Sequence, residues 1–292
     1  MPFGHIALAV VVALIWGTNF IVIRWGLDEL PPFLFATLRF TLVAVPLVFV
    51  LRRPAVPLRV LAAVGVLLGV GEFGLLFYAM QSDISPGLAS LVIQTQVFFT
   101  IALSMAQRGE RLRRGQWAAF AIAVGGMVLI GANLNADVTA LGLALVLVAA
   151  GCWALANIVT RSVDSLQGAA GAVSFVAWSS LFAAPPLLLL ALAFEGPSTV
   201  SSALEHAGPQ AWTVLAWQAV GNSLFGFAAW NWLLARHPAA TVTPAALLVP
   251  VVGMASSAIA TGEALPSWKL AAATLVIAGL AINVVVTRRS IS

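Results

Sequence analysis

The sequence predicts an all-α integral membrane protein with ten transmembrane helices, arranged as two inverted five-helix repeats. Of the 292 residues, 61% are hydrophobic and only 8% are charged, whereas an ordinary soluble domain is about 25% charged. The apolar residues fall into ten long runs, and basic and acidic residues alternate between successive loops. This composition excludes a soluble enzyme, a soluble nucleic-acid binder and a disordered chain.

A helix needs roughly 20 mainly apolar residues to cross a bilayer. We predict spans near residues 4–24, 33–51, 59–80, 85–106, 116–132, 140–161, 170–194, 211–234, 239–261 and 267–287. They are predicted to be helices because lipid offers the backbone no hydrogen-bond partner. The first run has no basic segment before it and no clear cleavage site, so we expect a mature helix and not a signal peptide.

The loop charges predict the orientation, because positive charge stays on the cytoplasmic side. One side carries Arg52, Arg53, Arg59, Arg108, Arg111, Arg113, Arg114, Arg161, Arg236, Arg288 and Arg289. The other side carries Asp28, Glu29, Asp83, Asp137, Glu195, Glu205 and Glu263. Both termini are therefore predicted to be cytoplasmic. The net charge of +4 reflects this topology and does not indicate a nucleic-acid partner.

The two halves of the chain resemble each other. The corresponding residues are Trp16, Asn19 and Arg24 with Trp153, Asn157 and Arg161, and Gly109-Glu110 with Gly262-Glu263. Five helices per repeat invert the second copy, in agreement with the loop charges. Inverted repeats are typical of secondary transporters whose binding site lies between the repeats near the middle of the membrane. We divide the chain into repeats at 1–134 and 138–289.

Uncharged polar residues inside the spans are the first candidates for a binding cavity. Trp16 with Asn19, and Trp153 with Asn157, are predicted to form two facing walls, since an indole can stack on a substrate and an amide can bind both ammonium and carboxylate. In the eighth span, Gln218 and Asn222 share one helix face and suit a zwitterion. The alternative for all of them is packing between helices, with the amides bonded to each other.

Charged and kinked positions complete the candidate set. Glu72 is the only acidic residue deep in a span and could carry a proton or meet a substrate ammonium; alternatively it is a buried neutral acid or a partner of Arg39. Tyr78 and Gln94 are also assigned to the cavity, with Gln96 on another helix face. Pro244 and Pro250 interrupt the ninth span and are predicted to act as a hinge or gate. Lys269, the lone lysine, is expected near a membrane boundary.

Several functions are disfavoured by what the sequence lacks. One cysteine and three scattered histidines predict neither a metal site nor a disulfide framework. We see no Gly-rich phosphate loop with a lysine and expect no cofactor. The spans offer no convergent acid, base and nucleophile, so an enzyme is not predicted. A membrane scaffold is the remaining alternative, and it would tolerate substitution of the buried polar residues.

The segments Leu14–Phe20, which reads LIWGTNF, and Pro244–Glu263, with its LLVP and final GE, resemble the EamA-type branch of the drug/metabolite transporter superfamily. The chain most resembles the bacterial exporters of aromatic and other neutral amino acids. This resemblance implies ten helices in two repeats, a location in the bacterial inner membrane and export by alternating access through a central cavity. The expected partners are a small-molecule substrate and the lipid bilayer; monomer and homodimer stay open. Export of another metabolite or a cationic drug, with Glu72 as proton or cation site, is the alternative.

Overall fold

The computed structural model describes residues 1–108, 114–161, 168–237 and 239–288. Over those residues the chain is helical, and its only β-type pairing is two isolated bridges, Ile84 with Val138 and Asn135 with Val138. The all-helical prediction is therefore confirmed for this part of the chain. The predicted positions Gly109, Glu110, Arg111, Arg113 and Arg289, and with Arg289 the end of the second repeat, lie outside the described residues.

The helical stretches follow the predicted order. They are α1 Phe3–Leu27, α2 Pro32–Val48, α3 Leu58–Ser82, α4 86–108, α5 Arg114–Gly131, α6 Ala140–Arg161, α7 168–195, α8 209–236, α9 239–261 and α10 Ser267–Arg288. A short helix that was not predicted, Pro197–His206, connects α7 to α8. Its start follows from Gly196, which takes a φ of 89°, and from Pro197 at the first helical position.

Eight of these helices are long and apolar enough to cross a membrane: α1, α3, α4, α5, α6, α7, α9 and α10. Helix α2 is apolar and shorter, at 17 residues. Helix α8 occupies the eighth predicted position and carries the amides of Gln218 and Asn222. The observed ends differ from the predicted ones by a few residues, since apolarity alone does not mark where a helix stops.

Five helices contain an irregular segment: α7 ends in π-helix at Ala191–Glu195, and the other four segments fall at matching positions in the two halves. Helices α3 and α8 turn into π-helix at Leu67–Gly74 and Trp217–Phe225. Helices α4 and α9 turn into 3-10 helix at Ile93–Thr95 and Thr243–Leu247. Such segments within a helix often mark functional sites or hinges. The backbone therefore departs from regular α-helix in the third and fourth helix of each half.

Local chemistry accounts for two of these segments. In α9, Pro244 is the second residue of the 3-10 segment and has no N–H to donate to the preceding turn. In α8, the hydroxyl of Ser223 donates to the carbonyl oxygen of Gln218 five residues earlier, at 2.8 Å. This bond satisfies a carbonyl within the π-helical turn. Pro250 lies in the regular α-helical part of α9 and is buried.

The main helix pairings repeat between the two halves. Helix α1 packs on α8 and α9, while α6 packs on α3 and α4. Helix α3 packs on α7, and α8 packs on α2. The pairs α2 with α7, α4 with α9 and α5 with α10 join corresponding members. Exchanging the first five helices with the last five leaves this set of pairs unchanged.

Small residues allow the helices to cross closely, as is common for helices packed in membranes. A Cβ placed on Gly17 would lie 2.6 Å from the Cβ of Val252, where α1 meets α9. A Cβ on Gly71 would lie 2.6 Å from Sγ of Cys152, where α3 meets α6. Gly126 has the same role between α5 and α10. Any larger side chain at these positions would force the helices apart.

Candidate functional site

Asn19 of α1 and Gln218 of α8 form a direct contact in the interior. The Nε2 of Gln218 donates to Oδ1 of Asn19 at 2.8 Å. Both side chains are buried, and Gln218 has no exposed surface. The Oε1 of Gln218 is also buried but has no hydrogen-bond partner. The predicted candidates of the first and eighth spans therefore meet, and one amide oxygen between them is left without a donor.

Trp16 lies beside this pair. Its Nε1 donates to the backbone oxygen of Asn222 at 3.4 Å. The indole packs against Phe227 and Trp230, with ring centroids 5.6 and 5.2 Å away. Gly226 leaves room for it, because a Cβ there would lie 2.5 Å from the indole nitrogen. An aromatic wall therefore borders the amides, formed by α1 and α8.

Arg39 of α2 is also buried at this place, with 1% of its surface exposed. Its Nη2 donates to the hydroxyl of Ser223 at 3.2 Å, and its guanidinium carbon lies 3.7 Å from the centroid of the Phe73 ring. Its Nε and Nη1 atoms have no hydrogen-bond partner. Sequence reasoning considered Arg39 only as a partner for Glu72 and did not single out Ser223.

Glu72 of α3 supplies the opposite charge. It is buried in the π-helical segment next to Phe73, and its charge interacts with that of Arg39. Their side chains form no ion pair, which would need a nitrogen–oxygen distance of 4.0 Å or less. We define the polar cluster as Asn19, Arg39, Glu72, Gln218, Asn222 and Ser223. It contains one basic and one acidic side chain and joins four helices.

The second predicted wall is held differently. The Nδ2 of Asn157 donates to Oε1 of Gln96 at 3.1 Å, which joins α6 to α4. Sequence reasoning placed Gln96 away from the cavity and preferred Gln94. Gln94 is buried in the 3-10 segment, and Trp153 is half-buried against the core. The structure therefore does not bond Asn157 to the polar cluster, although both walls contain an amide pair, buried at Asn19–Gln218 and partly buried at Asn157–Gln96.

Tyr78 does not join the polar cluster, and its assignment to the cavity stays a prediction. Its ring stacks on Phe33 with centroids 5.5 Å apart, and 39% of the residue is exposed.

A second constellation lies at the end of the molecule that carries the acidic loops. Lys269 is completely buried there, with Nζ 2.8 Å from Oε1 of Glu263 and 3.0 Å from Oδ2 of Asp137. Ser85 donates to Glu263 at 2.6 Å, and the backbone N–H of Gly87 donates to it at 3.0 Å. Ser257 also donates to Glu263. We define the loop network as Ser85, Gly87, Asp137, Ser257, Glu263 and Lys269.

This loop network ties together three connections: α3 to α4, α5 to α6, and α9 to α10. Thr139 adds a hydrogen bond to Asp83 at 2.7 Å. Beside the network lies a cleft of about 460 Å³ whose lining includes Arg24, Asp137 and Glu263. Sequence reasoning expected Lys269 at a membrane boundary and did not foresee its burial. The sequence signal was a lone lysine six residues after an acidic loop residue.

The sequence profile of the EamA-like transporter family matches residues 4–132 and again residues 140–285. The chain belongs to this family. It is therefore a multi-pass membrane transporter with a small-molecule substrate and is not an enzyme. The resemblance drawn from the motifs of α1 and α9 is confirmed.

Two curated relatives cover nearly the whole EamA-like chain. A protein of Salmonella typhimurium named "Probable amino-acid metabolite efflux pump" is 42% identical over 96% of this chain and 94% of its own length. A protein of Escherichia coli with the same name is 39% identical over 95% and 93%. A solved crystal structure is 22% identical, covers 99% of both chains and has a TM-score of 0.65. It supports the fold alone.

A histidine pair lies at the end of this EamA-like transporter that is opposite to the loop network. Nδ1 of His5 and Nε2 of His237 lie 2.6 Å apart, so one ring donates and the other accepts. Partial loss of solvation and the positive charges of His5, the N-terminus and Arg236 lower the pKa of His237. The neutral ring that this bond needs is thereby favoured. Among the described residues, no three metal-ligating side chains lie together.

Proposed function

We propose that this transporter exports neutral amino acids, including aromatic ones, across the bacterial cytoplasmic membrane. The observation that carries this proposal is the polar cluster, in which uncharged amides and a balanced Arg39–Glu72 pair are buried beside the aromatic wall of Trp16. Buried polar groups in a membrane helix are costly and usually serve a pathway or a ligand. The names of the Salmonella and E. coli relatives support both the direction and the substrate class.

The cavity is proposed to lie between two inverted repeats, 1–134 and 138–289, of five spans each. This proposal is supported by helix pairings that survive exchange of the two halves and by irregular segments at matching positions. Trp153, Asn157 and Gln94 would line the wall opposite Trp16 and Asn19. The loop charges support cytoplasmic termini, since basic residues collect on the cytoplasmic side.

Alternating access gives the loop network a role. In this proposal the network closes the outer end of the cavity and must open for release of the substrate. Helix α9 contributes Glu263 at one end of its closing loop and contains both Pro244 and Pro250. Kinks at prolines free backbone carbonyls and allow a helix to bend. Bending of α9 would move the Glu263 loop relative to Ser85 and open the outer end.

The test is transport by the purified protein in liposomes. Labelled phenylalanine, leucine, a nucleobase and a cationic dye are each offered, with and without imposed pH and voltage gradients. We expect exchange of phenylalanine and leucine above protein-free liposomes, and none of the dye or nucleobase. Transport of the dye with no amino-acid flux would favour the alternative of cationic drug export. That alternative is disfavoured by Arg39, which places a positive charge in the cluster.

The Glu72→Gln variant tests proton coupling. Because an amide cannot release a proton, we expect export driven by a pH gradient to fall to the level of protein-free liposomes, while exchange of phenylalanine, which needs no proton, weakens but stays above that level. Glu205→Gln, in the exposed short helix, is the matched control and should behave like the wild type. Gradient-driven export by Glu72→Gln at the wild-type rate would show that Glu72 does not carry the proton. Loss of dye transport in Glu72→Gln would instead support drug export, whereas an unaffected amino-acid flux would oppose it.

A further inference from the structure

We propose that the polar cluster binds the α-amino-acid zwitterion itself, with Arg39 holding the substrate carboxylate and Gln218 and Glu72 receiving its ammonium group. This inference rests on the proposed transport of amino acids and assigns the atoms that recognise them. It makes Arg39 of α2, which faces α3 and α8, the residue that selects for a free carboxylate.

The unused hydrogen-bonding groups of the cluster carry the argument. Arg39 has two buried nitrogens without a partner, Nε and Nη1, and both are donors. Gln218 has one buried oxygen without a partner, Oε1, which is an acceptor. Buried polar atoms are rarely left unbonded, because each lost bond is costly. A ligand that offers an anion to Arg39 and N–H groups to Gln218 would give a partner to the guanidinium donors on one side and to the Gln218 oxygen.

The guanidinium of Arg39 is held ready for such a ligand. Its guanidinium carbon lies 3.7 Å from the centroid of the Phe73 ring, and its Nε and Nη1 donors stay available. The hydroxyl of Ser223 accepts from Nη2 and itself donates to the carbonyl oxygen of Gln218. This chain fixes Arg39 relative to Gln218. Nη2 donates one N–H to Ser223, and its second N–H can act together with Nε or with Nη1 in two-point binding of a carboxylate.

The charges of the cluster match a zwitterion and no simple ion. Arg39 and Glu72 are both buried and are not joined as an ion pair. A zwitterion placed between them would pair each charge with its opposite and leave the net charge at zero. An organic cation would be repelled by Arg39, and an organic anion by Glu72. The cluster would therefore discriminate against substrates that lack either charged group.

The aromatic wall gives the rest of the substrate a place. Trp16 is tied to the cluster through the backbone oxygen of Asn222 and packs with Phe227 and Trp230. An aromatic or aliphatic side chain can pack on such a surface without a polar partner. The site would thus require both the carboxylate and the ammonium group of the substrate, and it would accept substrate side chains of different size and shape.

A series of phenylalanine analogues tests this assignment on the wild-type protein. L-Phenylalaninamide lacks the carboxylate, and 3-phenylpropionate lacks the ammonium group. Each competes against labelled L-phenylalanine for uptake into proteoliposomes. We expect both analogues to compete roughly 10- to 100-fold less well than L-phenylalanine, the factor for one charge-assisted hydrogen bond. Equal competition by L-phenylalanine and its amide would overturn the role of Arg39.

Variants of Arg39 provide the second measurement. Arg39→Gln should bind L-phenylalanine roughly 10- to 100-fold more weakly and should no longer prefer it over the amide. Arg39→Lys keeps the charge and should retain part of that preference. Arg52→Gln, on an exposed loop, is the control and should match the wild type. An Arg39→Gln variant that keeps the full preference would contradict the proposal.

The outcomes separate this inference from the function on which it rests. If the wild type moves no amino acid at all, the proposed function fails and this inference fails with it. If the wild type moves L-phenylalanine but shows no preference for a free carboxylate, only the role of Arg39 is overturned. If Arg39→Gln does not fold, the analogue series on the wild type still decides.

Discussion

Replacing Lys269 by methionine should lower the free energy of unfolding by about 3–5 kcal/mol, because it leaves a buried carboxylate without its partner. Lys269 is fully buried and its Nζ lies 2.8 Å from Oε1 of Glu263, whose side chain is only 3% exposed. The methionine fills a similar volume but cannot bond to the oxygens. Titration of the detergent-solubilised protein with a denaturing detergent, followed by circular dichroism, measures the change.

Two further variants distinguish a buried ion pair from a surface one. Glu263→Gln added to Lys269→Met removes the unpaired charge and should restore most of the lost stability. Asp137→Asn removes the partner whose side chain is 41% exposed, and it should cost less than about 1 kcal/mol. A stability of Lys269→Met equal to that of the wild type would contradict the ion pair at the centre of the loop network.

Lys269→Met should also change transport if the loop network closes the outer end. The weakened closure would raise the share of molecules that are open to the outside. A membrane-impermeant thiol reagent can measure this share at a cysteine introduced at Ser85, which lines the cleft. Faster labelling of Ser85→Cys in the Lys269→Met background is the expected result, and an unchanged rate would argue against a closing role.

Replacing Gln218 by leucine should reduce the transport efficiency for phenylalanine by about 30- to 1000-fold, which corresponds to about 2–4 kcal/mol. The change removes the donor to Asn19 Oδ1 and leaves that oxygen buried. It also removes the unpartnered Oε1 that we assign to the substrate. Initial rates of uptake into proteoliposomes at several substrate concentrations give the efficiency.

A double-mutant cycle shows whether the two amides act together. Asn19→Leu should cause a similar defect, and the double variant should be little worse than either single one. Gln210→Leu, which is exposed at the start of α8, is the matched control and should keep the wild-type rate. Effects that simply add would mean that Asn19 and Gln218 serve transport independently. Wild-type transport by the double variant would instead support a scaffold role for the buried amides.

Much of the architecture could be predicted because lipid imposes a simple rule. A run of apolar residues long enough to cross the bilayer becomes a helix, so the order and approximate position of α1 to α10 follow from hydropathy. The pairing of Asn19 with Gln218 was also within reach, since two buried amides in an apolar protein tend to find each other. The family followed from short motifs in α1 and α9.

Other features depend on packing that no local pattern encodes. Lys269 is separated from Asp137 by 132 residues, so its burial requires knowledge of which loops meet. The π-helical segment around Glu72 shifts the register of α3, and regular helical counting across it does not give the face of a later residue. The sequence suggested Arg39 only as a partner of Glu72. Its two nitrogens without a hydrogen-bond partner become visible only when the packing around the guanidinium is known.

The close crossing at Gly71 supplies a chemical reporter already present in the protein. Cys152 is the only cysteine in the chain. Its sulfur lies at the contact between α3 and α6, next to Gly71, which directly precedes Glu72. A bulky reagent can react with this thiol only when α3 and α6 move apart. The rate at which the unmodified protein reacts with maleimides of increasing size would therefore gauge how far the first and second halves separate during a transport cycle.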